Sequence, residues 1–300
     1  MRVTVAVCTW NRCALLKEAL ARMAGLRIPT ATEWELLVVN NRSTDATDEV
    51  IGSFAGTLPI RRVYEAEPGL SNARNAAVRE ASGAYVLWTD DDTLVDPDWL
   101  AAYVEAFQRW PDAAVFGGPV APVFLAPPPA WLRSGWPLVA DAFAARDLGS
   151  VPIAFDGERN MPFGANYAVR LDEQRRRRYD PRLGVKAGQI VVGEETRLAK
   201  ELLAAGARGF WVPGARVEHR IPPARMTTAY LRRYYVGVGR TSARVGPAED
   251  GPTILGRPRW AWKRAVLGEV RYRWGRWLAP PEAWLPHLIG ASKAWGRLLG

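Results

Sequence analysis

Three consecutive aspartates, Asp90, Asp91 and Asp92, follow the apolar run Tyr85-Val86-Leu87-Trp88. Carboxylates this close repel one another, so they stay ionised only beside water or a hard cation, and their oxygens suit Mg²⁺ or Mn²⁺. The competing reading is a solvated turn before a helix, which Asp96-Pro97-Asp98-Trp99 opens. Two further polar loops, Thr9-Trp10-Asn11 and Asn40-Asn41, also follow apolar β-branched runs. In a parallel sheet ligands bind beyond the carboxyl ends of the strands, so all three loops converge on one crevice.

The elements that must position these loops are legible as an alternation. Strands are expected near Val3–Cys8, Glu35–Val39, Arg61–Tyr64, Tyr85–Thr89 and Ala114–Gly118, with helices over Ala14–Gly25, Thr44–Phe54, Leu70–Ala81 and Pro97–Arg109 between them; Gly25 and Gly83 read as stops. That rhythm predicts an α/β fold, a Rossmann-like, mostly parallel sheet flanked by helices. From Pro122 to about Arg159, Pro127-Pro128-Pro129 and scattered aromatics predict an irregular surface excursion. Regularity returns at Asn160–Arg170. A helix beginning near Gly193-Glu194-Glu195 and running over Thr196–Ala205, strands Gly209–Val212 and Ala215–Glu218, and a helix from Tyr230 to Val238 follow.

Residues 1–219 carry 25 basic and 27 acidic side chains, whereas residues 220–300 carry 15 basic and 4 acidic, so the whole net charge of +9 resides at the end. Six of the fourteen tryptophans fall there too, interleaved with arginine. Indole beside guanidinium suits an anionic lipid interface over residues 256–300; nucleic acid is the competing partner and is not expected, and helices packed on the core are the third reading. The N-terminus enters a strand without a secretion signal and no run approaches a membrane span, which places the chain in the cytoplasm or peripherally on the inner face of the membrane. Cys8 and Cys13 read as reduced thiols.

The order and spacing of five pieces resemble the inverting family 2 nucleotide-sugar glycosyltransferases of the GT-A fold. They are Val5-Ala6-Val7-Cys8-Thr9-Trp10-Asn11-Arg12, Val38-Val39-Asn40-Asn41-Arg42-Ser43-Thr44-Asp45, Gly69-Leu70-Ser71-Asn72-Ala73-Arg74-Asn75, Trp88-Thr89-Asp90-Asp91-Asp92, and Gly193-Glu194-Glu195 with His219. The resemblance covers about residues 3–240. It implies a transferase domain over 1–240, with a nucleotide-sugar half (1–120) and an acceptor half (121–240), followed by a helical extension over 241–300.

The resemblance also implies roles. Trp10 offers a face on which a nucleotide base stacks, with core packing as the alternative, and Asn40 an amide for its edge where relatives carry aspartate. Thr9, Asn11 and Arg12 belong to the same nucleotide-sugar loop. Arg74 would reach the base or diphosphate, or form a surface ion pair. In the aspartate cluster Asp90 corresponds to the ribose or a water-mediated metal contact and Asp92 to the direct ligand of a divalent Mn²⁺ or Mg²⁺, with Asp91 an alternative for either; His219 corresponds to a further metal ligand, or is a hydrogen-bonded surface histidine. Glu195, where relatives carry aspartate, or Glu194 would be the general base, and both also complement a helix dipole. Gly164 and Asn166 would line the acceptor side. The resulting function is transfer of a sugar from a UDP- or dTDP-sugar to a glycan or lipid-linked acceptor. The rivals are a sugar-nucleotide pyrophosphorylase, which lacks its glycine-rich loop here, and a non-catalytic binding protein on a decayed scaffold.

Overall fold

Every second residue of the first strands points to one of two apolar layers. The computed structural model describes residues 1–158, 160–185, 192–246 and 251–300. Strands β1 (Arg2–Thr9), β2 (Glu33–Asn40), β3 (Ile60–Tyr64) and β4 (Tyr85–Asp90) alternate with helices α1 (Cys13–Met23), α2 (Thr47–Ser53) and α3 (Leu70–Glu80). These strands lie parallel in the order β3-β2-β1-β4. Val5, Leu36 and Leu87 join one buried cluster while Ala6, Leu37 and Val86 join the other, the continuous apolar pattern of a sheet covered on both faces.

The chain continues through β5 (Thr93–Val95), α4 (Trp99–Arg109), β6 (Ala113–Gly117), β7 (Val120–Phe124), the short helices α5 (Ala130–Ser134) and α6 (Trp136–Val139), β8 (Asn166–Arg170) and α7 (Leu171–Arg175). It ends with α8 (Glu194–Ala204), β9 (Arg208–Trp211), β10 (Val217–Ile221), α9 (Thr228–Val245), the hairpin β11 (Thr253–Ile254) and β12 (Arg257–Pro258), then α10 (Arg259–Leu278) and α11 (Pro281–Leu298). The main sheet extends as β4-β8-β6-β9, with β8 antiparallel to both neighbours, and β5-β10-β7 form a second sheet.

Local reading and structure part at identifiable places. Gly83 does not stop α3, which ends at Glu80 with Ala81 extended. A Cβ on Gly83 would lie 2.5 Å from the Thr4 backbone nitrogen, so this glycine lets two chain segments pass closely. The excursion after Pro122, expected to be irregular, instead carries α5, α6 and a 3₁₀ turn at Ala140–Phe143. Leu132, Val139 and Phe143 are fully buried there, so tertiary burial overrides the proline signal. Arg159, at the end of that stretch, lies outside the described residues.

Two compact units result. The first comprises residues 1–123, 144–182 and 194–220. The second comprises residues 124–143, 183–193 and 221–300, with Leu132, Phe143, Leu231, Tyr235, Trp284 and Leu288 in its core. Helix α9 runs through residue 240, where the sequence suggests a boundary, and carries the tail helices: Arg232 pairs with Glu269 of α10 at 2.7 Å. Among the described residues no helix is long and apolar enough to cross a membrane.

Candidate active site

The candidate site residues from Thr9 to Asn166, with Glu194, Glu195 and His219, lie in the first unit. The loops after β1 and β2 are stapled through Asn11, whose φ of 52° is a left-handed turn that asparagine tolerates. Its N–H donates to Ser43 Oγ at 2.9 Å and its Oδ1 accepts from the Thr44 N–H at 2.7 Å. Trp10 leaves this loop 47% exposed, so its ring is not core packing. Asn40 behaves differently. It is buried, its Oδ1 accepts from the Ser43 N–H at 2.7 Å, and its Nδ2 donates to Asp48 at 2.6 Å. The amide expected to meet a base edge is thus spent on shaping its own loop. The carboxylate beyond it is Asp48, held by Arg62 at 2.6 Å.

The aspartate trio caps β4. Asp91 accepts from Thr9 Oγ1 at 2.8 Å and from Arg12 Nη1 at 2.9 Å, and the same Arg12 nitrogen lies 3.3 Å from Asp92. Strand β10 pairs with β5 so that His219 stands opposite Thr93, which brings His219 Nε2 to 3.6 Å from Asp92 Oδ1. His219 is therefore a buried neighbour of the trio and not a surface residue. Asp90 and Asp91 are each pushed up to about 6, by burial first; the charge of Asp92 adds to both, while Arg74 opposes it at Asp90 and Arg12 at Asp91. Arg12 and Arg74 are the cations that face these three carboxylates.

A divalent ion fits this place. An oxygen and an imidazole nitrogen 3.6 Å apart match the donor preference of Mn²⁺ and the spacing of adjacent ligands on one ion. Among the described residues no group of three or more His, Cys, Asp or Glu side chains is placed to hold a metal ion. A pair of protein donors would leave most positions of such an ion to phosphate and water oxygens, the usual way Mg²⁺-like ions bind with one or two carboxylates.

Arg74 corrects the sequence reading. Its guanidinium does not reach outward to a diphosphate: the side chain is 4% exposed and packs 5.6 to 5.8 Å from the ring centroids of Trp88, Tyr167 and Tyr179. From this cage it holds Glu194 at 2.6 Å and stands 3.7 Å from Glu195 and 3.9 Å from Asp90. One buried cation thus faces three carboxylates. Burial and Glu195 push Glu194 up to about 8 despite Arg74, so the cluster holds a proton near neutral pH. Glu195 is the more open of the pair, 17% against 4% at the side chain. It lies against Gly164, where a Cβ would come within 3.0 Å of Glu195 Cδ.

Asn166 is a second correction. Completely buried, it accepts from Trp99 Nε1 at 2.8 Å and Tyr103 OH at 2.9 Å, and donates to the carbonyls of Pro119 at 2.9 Å and Ala215 at 2.6 Å. With all four bonds made inside the protein it cannot hold a sugar hydroxyl. Sequence reasoning missed Tyr167 and Tyr179, whose rings complete the Arg74 cage. It missed Asn41 as well, whose Oδ1 accepts from the Gly69 N–H at 2.8 Å and fixes the start of α3. No local signal marks the tyrosines; Gly69 before a helix, with its φ of 127°, does mark the turn.

Comparison with known proteins fits this arrangement. The sequence pattern of Glycosyl transferase family 2 matches residues 4–165, and that of Glycosyl transferase family group 2 matches residues 85–287. The succinoglycan biosynthesis protein ExoM of Rhizobium meliloti is 27% identical over 273 residues, 89% of this chain and 81% of that protein. Among solved structures, the mannosyltransferase PcManGT from Pyrobaculum calidifontis, in complex with GDP-Man and Mn²⁺, superposes with a TM-score of 0.63 at 20% identity, over 99% of this chain and 86% of that one. S. aureus TarS 1-349 in complex with UDP-GlcNAc gives 0.58 at 16% identity, over 93% and 74%. The chain belongs to glycosyltransferase family 2 and is a glycosyltransferase of the GT-A fold.

Proposed function

We propose that the protein is an inverting enzyme that moves a sugar from a UDP- or dTDP-sugar to a hydroxyl of a glycan or lipid-linked acceptor in polysaccharide biosynthesis, acting on the cytoplasmic side of a membrane. The observation that carries this reading is Arg74, which joins Asp90 of the cation-binding trio and Glu195 of the carboxylate pair within 3.9 Å of one guanidinium. Donor phosphates and an attacking hydroxyl have their partners side by side.

Glu195 Oε2 takes the proton of the acceptor hydroxyl, whose oxygen attacks the anomeric carbon as the bond to the nucleoside diphosphate breaks on the opposite face. Glu194 anchors its neighbour through Arg74. Trp10 stacks on the base, and Arg12 keeps Asp91 and Asp92 in place. Asp92 and His219, with Asp90 through water, would hold a divalent ion, which would supply charge neutralisation to the departing diphosphate. The Mn²⁺ in the PcManGT complex supports the metal, the UDP-GlcNAc in the TarS complex the uridine donor, and the succinoglycan in the name of ExoM the polysaccharide product.

Assays of nucleotide release with UDP- and dTDP-sugars, with and without Mn²⁺, test it. Glu195→Gln is expected to retain donor binding and lose about 10³-fold in kcat, the range of a general base. Asp92→Ala is expected to abolish both turnover and the Mn²⁺-dependent rise in melting temperature with donor. Full turnover in Asp92→Ala defeats the metal assignment, and unchanged kcat in Glu195→Gln moves the base to Glu194.

A further inference from the structure

Helix α10 carries two apolar sides. Ala261, Ala265 and Tyr272 mark the side turned into the second unit. At 100° per residue, Trp260, Leu267, Val270, Trp274 and Trp277 stand on the opposite side, where Trp274 is 69% and Trp277 79% exposed. Leu278, 78% exposed, continues that stripe to the end of the helix. Arg264 and Arg271 border it along one edge, Arg273 and Arg276 along the other, and Lys263 lies within it. Large exposed apolar stripes of this kind mark interaction surfaces.

We propose that this face of α10 docks on a bilayer surface containing anionic lipid, with the helix lying in the interfacial plane. Charge selects the occupant. The helix bears six basic side chains and one acidic one, Glu269, which is already held by Arg232 at 2.7 Å and Arg273 at 2.8 Å. Among the described residues no carboxylate pairs with Arg259, Lys263, Arg264 or Arg271. A second copy of the chain would bring two cationic faces together, and a nucleic acid would leave the indole rings in water. Anionic headgroups neutralise the flanking cations while the interface takes the tryptophans, the pairing that interfacial helices use. At the N-terminal end of the stripe a cavity of about 310 Å³, lined by Pro252, Pro258, Arg259, Trp260 and Lys263, leaves space beside two of those cations. The surface rests on α10 alone and stands whether or not the transfer chemistry is as assigned.

Flotation of the full chain with phosphatidylcholine vesicles, and with vesicles in which about a quarter of the lipid is phosphatidylglycerol, tests the surface at low and high salt. The protein is expected to float with the anionic vesicles, to stay behind with the neutral ones, and to be released by salt. Lys263→Gln with Arg271→Gln should weaken partitioning about 25-fold, roughly five-fold for each cation near the surface. Trp274→Ser with Trp277→Ser should weaken it about ten-fold or more, with melting temperature and donor hydrolysis unchanged because both rings are exposed. Equal flotation with both vesicle types, or variants that float like the parent, overturns the proposal. So does a dimer in sedimentation that the tryptophan variant makes monomeric, or tighter binding to duplex RNA than to anionic vesicles.

Discussion

A methyl group on Gly164 would lie 3.0 Å from Glu195 Cδ and 3.2 Å from Arg74 Nη2, while the backbone there is outside the left-handed region. Alanine is therefore acceptable to the main chain but displaces the more open carboxylate of the site. Gly164→Ala is expected to lower kcat about 10- to 100-fold, the penalty of a small misplacement of a reacting group, and to leave donor affinity and melting temperature nearly unchanged, which steady-state kinetics and calorimetry would read. Glu194 yields a pH signature. Its folded pKa of about 8 lies above its ordinary 4.5, so the folded chain binds a proton that the unfolded chain releases. Stability accordingly falls as pH rises from about 4.5 to about 8 and is level above that. Denaturant titrations should show Glu194→Gln flattening the slope between pH 6 and 8, where Asp90 and Asp91 have already titrated; an unchanged slope would place the proton elsewhere in the cluster. Local sequence displays such acidic clusters plainly, because adjacency alone makes them unusual. The partner of Arg74 was not legible, since Glu194 is 120 positions away in sequence and the choice between a ligand and a carboxylate is made by folding. Asn166 misled for the same reason: nothing local tells that Trp99, Tyr103, Pro119 and Ala215 all converge on it.

At the scale of elements, the parallel strands β1 to β4 and their helices were legible because each is a β-branched run or an amphipathic stretch bounded by turn residues. The three-residue β5, the antiparallel insertion of β8 and the short α5 and α6 were not, since pairing and burial far along the chain decide them. Glycines show the same limit. Gly239 of α9 and Gly296 of α11 look like weak points in helices, yet a Cβ on Gly239 would lie 2.0 Å from the Lys293 carbonyl oxygen and one on Gly296 2.0 Å from that of Val236. The two backbones touch through these gaps. Gly52 of α2 meets nothing within 4 Å. Gly52→Ala should therefore stabilise by about 0.5–1 kcal/mol, the helix preference alone, whereas Gly239→Ala should destabilise by about 1–3 kcal/mol through overpacking. Urea unfolding of the two variants would give opposite signs; a stabilising Gly239→Ala would mean that α9 and α11 do not meet so closely.

For the whole molecule, the sequence concentrates its excess positive charge after residue 219 and tempts a reader to treat residues 241–300 as an appendage. Hydropathy along α10 cannot correct this, because apolar side chains ring the helix: one side packs inward and the other faces out. The second compact unit draws its core from both ends of that division, with Leu132, Val139, Phe143, Leu231 and Tyr235 on one part of the chain and Trp284, Leu285 and Leu288 on the other. Removal of residues 256–300 would return the first five of these to water, at about 1.5–3 kcal/mol for each large side chain, a sum comparable with the entire stability of a domain. Such a truncation is expected to lose the cooperative melting of the second unit, to bind the dye ANS and to aggregate, while the loss of the exposed Trp274 and Trp277 rings alone does none of these. Calorimetry and dye binding on the truncated chain separate the two outcomes: a soluble, cooperatively melting product would make α10 and α11 a detachable membrane anchor, and an aggregating one makes them the wall of the unit that they also equip for docking.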